Sequence, residues 1–382
     1  MNISEGHLRR PRNHRKTIRW TLRIFTLLAL VSFLCFRAYV VKRRAHPIVR
    51  YKPEAEIARM RPPENVYPCL VFQSEGKSDF SSGELKQCRP RLTNEAPVEQ
   101  FEIDLNRGGF ILRTTDLSVP DDMPLVLTRT YNTWDRRIYG FGVGSNHPYD
   151  IYFYGNRFPY TYLNVVTPGS EVIHFDRISE GTGYADAVYE DLRDLTTLFH
   201  GARIRWNQDH WDLNFQDGNV YRFPESYYAK RPAEMAIVGM RNAAGEEIKF
   251  VRDAARNLVR ITSPHEHWIK FTYDGKNRII AASNDAGNLV KYSYDDTGRV
   301  VEVEGGSGVL WSYSYDDGGI AEVRNSSGTI LLKNKYDKTG LIASITLRDG
   351  RSYRFDYLFG KGYTIVETTV LDPEGKVHVF HF

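Results

Sequence analysis

Tyr294-Asp295-Asp296-Thr297-Gly298-Arg299-Val300 is the stretch from which the architecture can be read. Its leading pair recurs at Tyr273-Asp274, Tyr315-Asp316 and Tyr336-Asp337, at a constant step of 21 residues. A fixed period in this range marks a chain that stacks one supersecondary unit rather than folding an irregular core. Gly298, Asn277 and Gly340 occupy one slot of the unit, and both residue types tolerate positive φ. That slot therefore reads as a left-handed turn position with Asp at the turn entrance. A second glycine recurs halfway along, at Gly287, Gly308, Gly328 and Gly350, so each unit has two turns and two strands.

Alternation identifies strands rather than helices. Phe271 and Tyr273, Tyr292 and Tyr294, and Tyr313 and Tyr315 are spaced by two and must share a face. If consecutive units pair side by side, their tyrosines form a row across the sheet, with cross-strand pairs contributing roughly 0.2 to 1 kcal/mol each. Asn334 interrupts the companion row beside Tyr336. Arg252-Asp253, one step upstream, reads as a decayed first unit, and Tyr353-Arg354-Phe355-Asp356 as a decayed last one.

This pattern resembles the Rhs or YD-repeat family of bacterial surface and secreted proteins, whose repeats carry Tyr-Asp-x-x-Gly-Arg and then an aliphatic residue. Tyr294 through Val300 matches fully and the other units in part. Upstream, Phe101-Glu102-Ile103-Asp104-Leu105 through Gly109, Thr115-Asp116-Leu117, Pro124-Leu125, Arg129-Thr130-Tyr131-Asn132 and Gly140-Phe141-Gly142-Val143-Gly144 resemble the domain that often precedes such repeats. The resemblance implies a β-sheet that coils into a shell, often around a C-terminal toxin. Cargo-bearing members use many more repeats and end in an Asp-Pro-rich autoproteolytic motif. Asp372-Pro373-Glu374-Gly375 is only a faint counterpart of it, and no toxin sequence follows. The expected fold is all-β: a curved, open, antiparallel YD-repeat sheet, preceded by a β-rich domain and one N-terminal membrane helix.

The net charge of +4 hides an asymmetry. The first fifty residues hold twelve Lys or Arg and one acid, Glu5, a charge of +11, which leaves −7 on the remainder. A nucleic-acid-binding body would carry its positive charge on the folded part, so that class is set aside. Arg9, Arg10, Arg12, Arg15, Lys16 and Arg19 precede an apolar stretch, as in a membrane anchor or export signal. Its uncharged run, Ile24 to Phe36, spans roughly 20 Å as a helix, short of a ~30 Å hydrocarbon core. Snorkelling by Arg23 and Arg37 from a segment Trp20 to Val41 closes the gap. An uncleaved anchor is the favoured reading, with a cleaved signal or an amphipathic start as alternatives. The N-terminus is then cytoplasmic, and the C-terminal part lies outside the cytoplasm of an inner-membrane, single-pass protein.

The chain thus divides into a basic tail (1–19), an anchor or signal (20–41), a Pro-rich linker (42–100), a β-rich Rhs-associated domain (101–245) and the YD-repeat sheet (246–382). Cys69 and Cys88 lie in the linker. Oxidised, they would close a loop whose constraint is worth roughly 3 kcal/mol, while free thiols are the alternative. Phe215 through Phe223 places Asp217-Gly218 between alternating apolar residues, a hairpin signal, and Tyr184 to Phe199 offers a weak helical interruption.

Chemistry is sparse. His265-Glu266-His267 would put two imidazoles on one face of a strand, but no third zinc ligand is nearby, and His378 with His381 are read as ordinary strand residues. Gly140, Gly142 and Gly144 lack the strand-turn-helix context of a phosphate loop and read as turn glycines. A calcium row of Asp274, Asp295, Asp316 and Asp337, and a sugar platform of tyrosines, are weaker readings than turn-forming Asp and buried Tyr. No nucleophile, base and orienting group assemble, so no catalytic, cofactor or metal residues are assigned. The residues that matter are the structural ones of the repeat: Tyr273, Asp274, Tyr294, Asp295, Gly298, Arg299, Tyr315, Asp316, Tyr336, Asp337 and Gly340. The expected role is a non-catalytic, envelope-anchored binding or scaffold module. Its partners, by resemblance, are an effector or immunity protein or a surface polysaccharide. The alternative is a truncated or split polymorphic-toxin shell whose effector is encoded elsewhere or lost.

Overall fold

The computed structural model describes residues 67–74, 80, 83–88, 99–192 and 199–382. Antiparallel strands dominate them, with one short helix at Pro232–Met235 and a 3-10 turn at Pro148–Asp150. The first sheet contains β1 (Tyr67–Gln73), β2 (Glu84–Cys88), β3 (Glu99–Asp104), β4 (Gly109–Val119) and β5 (Leu125–Asn132), in the order β2-β1-β3-β4-β5. A short strand, Ser145–Asn146, adds to β5. Every residue of β5 is buried. An antiparallel strand is covered on both faces only where the sheet lies inside something else.

What surrounds it is a second sheet that takes every strand from Tyr152–Gly155 to Val377–His381 in sequence order. The order is that of a closed barrel. Ladders between consecutive strands run from the pair Tyr152–Gly155 and Tyr162–Val166 to the pair Ile365–Leu371 and Val377–His381. The outer side of the first strand meets Ala236 through a bridge from Tyr152, and the Ile237 N–H donates to the Ile151 carbonyl. The sheet therefore returns on itself within its first strands.

The expected open sheet is corrected to this extent: the sheet meets itself at Tyr152 and Ala236, upstream of the repeats. Strands upstream of the repeats, which carry no Tyr-Asp mark, join the same sheet and supply the wall that four units lack. Gly239–Arg241 pairs with Glu247–Arg252 in unbroken register, so the sheet crosses the expected boundary at 245 without interruption. One hydrophobic core runs from Leu70 in β1 to Val370 in the second-last strand. Phe72, Phe101, Phe110, Leu112 and Leu127 of the first sheet pack there with Tyr292, Tyr313, Tyr353 and Phe355 of the wall.

Three local expectations change. The part of the linker that is described holds β1 and β2, with Leu70, Phe72 and Phe80 buried in the core, because their alternating apolar residues find the inner face of the wall. Val188–Glu190 is a strand, so the helical interruption is not found among the described residues. His265 and His267 sit in a turn between Leu258–Thr262 and Trp268–Tyr273, where Glu266 has φ +66°, rather than on a strand. Gly218, at φ +89°, closes the expected hairpin between His210–Asn214 and Val220–Pro224. The membrane segment 20–41 lies outside the described residues. Among those described, no helix is long and apolar enough to cross a membrane.

Candidate functional site

Each repeat is tied to its neighbours by the residues of its signature. The ladder shifts by one residue just before each repeat tyrosine, between Ser293 and Tyr294 for example, so Tyr294 stands opposite Val300. This bulge aims the phenol backwards. Tyr294 Oη donates to the carbonyl of Ile279 at 2.5 Å, Tyr315 to Val300 at 2.7 Å and Tyr336 to Ile320 at 3.0 Å. Tyr273 donates to Leu258 at 2.9 Å. The acceptor is always the aliphatic residue that ends the preceding unit's turn. Burial pushes these phenols up, which keeps them protonated and able to donate.

The aspartates act inside their own turns. Asp274 Oδ1 accepts the N–H groups of Lys276 and Arg278, and Asp337 Oδ1 those of Thr339 and Leu341. Asp274 Oδ2 and Asp295 Oδ2 each accept the Nε–H of the arginine four residues on, at 2.8 Å. Burial would raise Asp274 and Asp295, but the bonds from Arg278 and Arg299 outweigh it and hold both below the ordinary range. Those arginines then lie over the next unit's ring, Arg278 4.4 Å from the Tyr294 centroid and Arg299 4.3 Å from that of Tyr315. The repeat is thus a relay: Asp fixes the turn, Arg caps the following tyrosine, and that tyrosine bonds back to the turn's end. Gly298 and Gly340 have φ +87° and +84°, and Asn277 has +60°. Gly319 departs because its turn is one residue shorter and carries no arginine.

The bulges leave donors and acceptors that the first sheet and its loops complete. The Ile279 N–H donates to Gly140 O at 2.7 Å, the Ile342 N–H to Gly108 O at 3.0 Å, and Gly298 O accepts the Val143 N–H at 3.0 Å. A Cβ on Gly142 would stand 2.0 Å from Gly298 O, so this turn glycine exists for close backbone approach. Deeper in, Arg129 on β5 pairs with Asp116 on β4 at 3.1 Å, and both are buried. Arg129 also donates to Thr114 Oγ1 at 2.8 Å and Tyr313 Oη at 3.0 Å, while Tyr292 Oη donates to Asp116 at 2.9 Å. Burial alone would disfavour the charged guanidinium, but Asp116 outweighs it and holds Arg129 protonated. The second aromatic row, two residues before each repeat tyrosine, is therefore where the wall reads the first sheet.

Several roles were not legible in the repeat motif. The period continues to Tyr357, whose Oη donates to the Ile342 carbonyl at 2.7 Å, so the last tyrosine of the row is Tyr357 and not Tyr353. Counting one more step of 21 residues from Tyr336 would have found it. Tyr353 instead accepts the Gly83 N–H at 2.9 Å and meets Phe72 edge-on. Arg252 fills the tyrosine slot of the decayed first unit and donates to the carbonyls of Ile237 and Tyr149. Asn334 keeps the pattern by donating to Ile320 O at 2.8 Å. Asp372 forms a repeat-type turn, accepting the Lys376 N–H, with Gly375 at φ +83°. Cys69 and Cys88 are joined by a disulfide across β1 and β2. His378 and His381 pair with Asp372 and Glu367. Asp121, Asp122 and His265 are the one group among the described residues with metal-ligand spacing, but Asp121 already accepts from Ser263, His265 Nδ1 and the His265 N–H.

Residues 101–173 match a family described as a domain of unknown function, DUF6531, and residues 284–379 match the Teneurin YD-shell. Residues 284–379 are thus similar to a YD-repeat shell, in keeping with the Rhs/YD-repeat resemblance of the sequence. Among solved structures, it is similar to the TcdB2-TccC3 crystal structure, at 12% identity and a TM-score of 0.30, over 82% of this chain and 19% of that one. It is also similar to the Photorhabdus luminescens Tc holotoxin pore, at 11% identity and a TM-score of 0.30, over 86% of this chain and 20% of that one. The chain spans about a fifth of the length of the solved structures it matches. No curated protein matches it.

Proposed function

We propose that the chain is a non-catalytic, envelope-anchored YD-repeat module that presents its outer wall to a partner outside the cytoplasm, held to the inner membrane by residues 20–41. The observation that carries this reading is the sealed inner face. The aromatic rows that would line a container are packed by the chain's own first sheet, through Phe72 on Tyr353, Tyr131 on Tyr315 and Arg129 on Tyr313. A wall filled in this way acts as a solid body, which suits scaffolding better than enclosing a toxin. The partner is an effector or immunity protein or a surface polysaccharide.

Isolation of the full chain in detergent from its own cell envelope, after cross-linking, tests the proposal. Recovery of a stoichiometric protein or glycan on the outer wall is expected, and a chain that carries neither would sink it. A chain that is soluble only when a neighbouring reading frame is coexpressed would instead favour the split-toxin alternative. Phosphatase fused after Phe382 should be active if the C-terminal part is exported.

A further inference from the structure

Two loops of the wall, residues 156–160 and 226–231, hold large side chains out in solvent: Phe158 is 76% exposed, Tyr228 86% and Tyr227 53%. Only Tyr363 among the described large hydrophobic residues is more exposed than Tyr228. The two loops are neighbours, because Arg157 donates to the Ser226 carbonyl at 2.5 Å and lies 5.4 Å over the Tyr227 ring. They are also preformed. Asn156 Oδ1 accepts the N–H groups of Thr161 and Tyr162, the Ala229 N–H donates to Ser226 O, and Glu234 accepts the Lys230 N–H and the Arg231 guanidinium. Apolar tips held in place in water are a standing unfavourable term, and such surfaces mark contact with something less polar.

The charges around the tips are Arg157, Lys230 and Arg231 against Glu225, which pairs with Arg157, and Glu234, which pairs with Arg231. The Lys230 ammonium is the one cation of the set without a carboxylate partner among the described residues. Exposed Phe and Tyr beside an uncommitted cation is the chemistry of the lipid-water interface, where rings enter the acyl boundary and ammonium groups meet phosphates. Residues 42–66, twenty-five in number, reach at most about 90 Å when extended. A bilayer that holds 20–41 is then within reach of the described unit.

We propose that the loops 156–160 and 226–231 form a membrane-contacting foot, with Phe158 and Tyr228 entering the headgroup-acyl boundary and Lys230 bonding lipid phosphate. The inference rests on the anchored reading above, and its test separates the two. Flotation with vesicles of phosphatidylcholine and phosphatidylglycerol would be measured for the full chain, for the chain with L28K and F33K in the apolar run, and for that variant with F158A and Y228A added. Both loop residues are exposed, so the last change leaves folding intact. The L28K/F33K chain should still float, and F158A/Y228A should lower its bound fraction at least about tenfold. Equal flotation with and without the loop changes, or none in either, overturns the foot. So does self-association of the L28K/F33K chain that F158A/Y228A abolishes, which would make a second copy the occupant. Failure of the unaltered chain to float counts against the anchor instead.

Discussion

The repeats between Trp268 and Leu371 and the first sheet between Tyr67 and Asn132 are both antiparallel, yet they are held in opposite ways. In the repeats the contacts made by the signature residues stay within one unit or reach the next: Tyr294 to Ile279, Arg278 to Tyr294, Asp295 to Arg299. In the first sheet the decisive contacts span the chain, as Arg129 to Tyr313, Thr368 to the Leu105 carbonyl and Gly83 to Tyr353 do. The repeats behave as a sum of nearest-neighbour terms, and the first sheet as a single plug whose loss would be felt by the whole wall.

The comparison breaks most sharply at the buried ion pair. Arg129→Met leaves the Asp116 carboxylate unpaired in the core and should destabilise the protein by about 3 to 5 kcal/mol in urea or thermal unfolding. Adding Asp116→Leu should restore most of that loss, because no lone charge remains. A smaller loss after the single change would mean that the plug is not what the wall depends on.

Replacing Cys69 and Cys88 together by Ala should cost about 3 kcal/mol, read as a shift of the unfolding midpoint that reductant then no longer changes. Asp104 provides a pH-dependent version of the same test. Burial raises it, against the opposing pull of Arg107, from 3.8 to about 7, while its Oδ1 accepts the Asn106 and Arg107 N–H groups. A carboxyl whose folded value is raised contributes stability that is fully present below about pH 4 and lost as the pH rises through 7. Asp104→Asn keeps the acceptor and removes the titration, so its advantage over the parent should grow from pH 5 to pH 8 by up to about 3 kcal/mol. A constant difference across that range would show that Asp104 stays ionised.

The smallest effects should fall in the repeats. Tyr294→Phe, Tyr315→Phe and Tyr357→Phe each remove one phenol-to-carbonyl bond and should cost about 1 kcal/mol apiece, equal within experimental error. Unequal costs in unfolding midpoints would show that the units are not interchangeable and would erase the contrast with the plug.

The repeat signature shows why part of this was readable. Glycine at a left-handed slot, Asp at the turn entrance and aromatic residues two apart are local requirements, so Gly298, Asp295 and Tyr294 disclose their roles without knowledge of the rest. Tyr357 was hidden because its following residue is Leu358 rather than Asp, although it keeps the period. Arg129 and Asp116 were visible as parts of a family pattern, but a pattern names no partner. Their pairing with Tyr313 and Tyr292 depends on which strands the wall brings over β4 and β5.

By itself the sequence determined the strands, the turns and the neighbour-to-neighbour order of the repeats, because those follow from backbone dihedrals and a period of two. Closure of the wall and its filling by β1 through β5 were decided only in three dimensions. Strands such as His210–Asn214 carry no mark of the sheet they join, and burying their apolar faces requires a surface that exists only once the chain has wound around its own beginning.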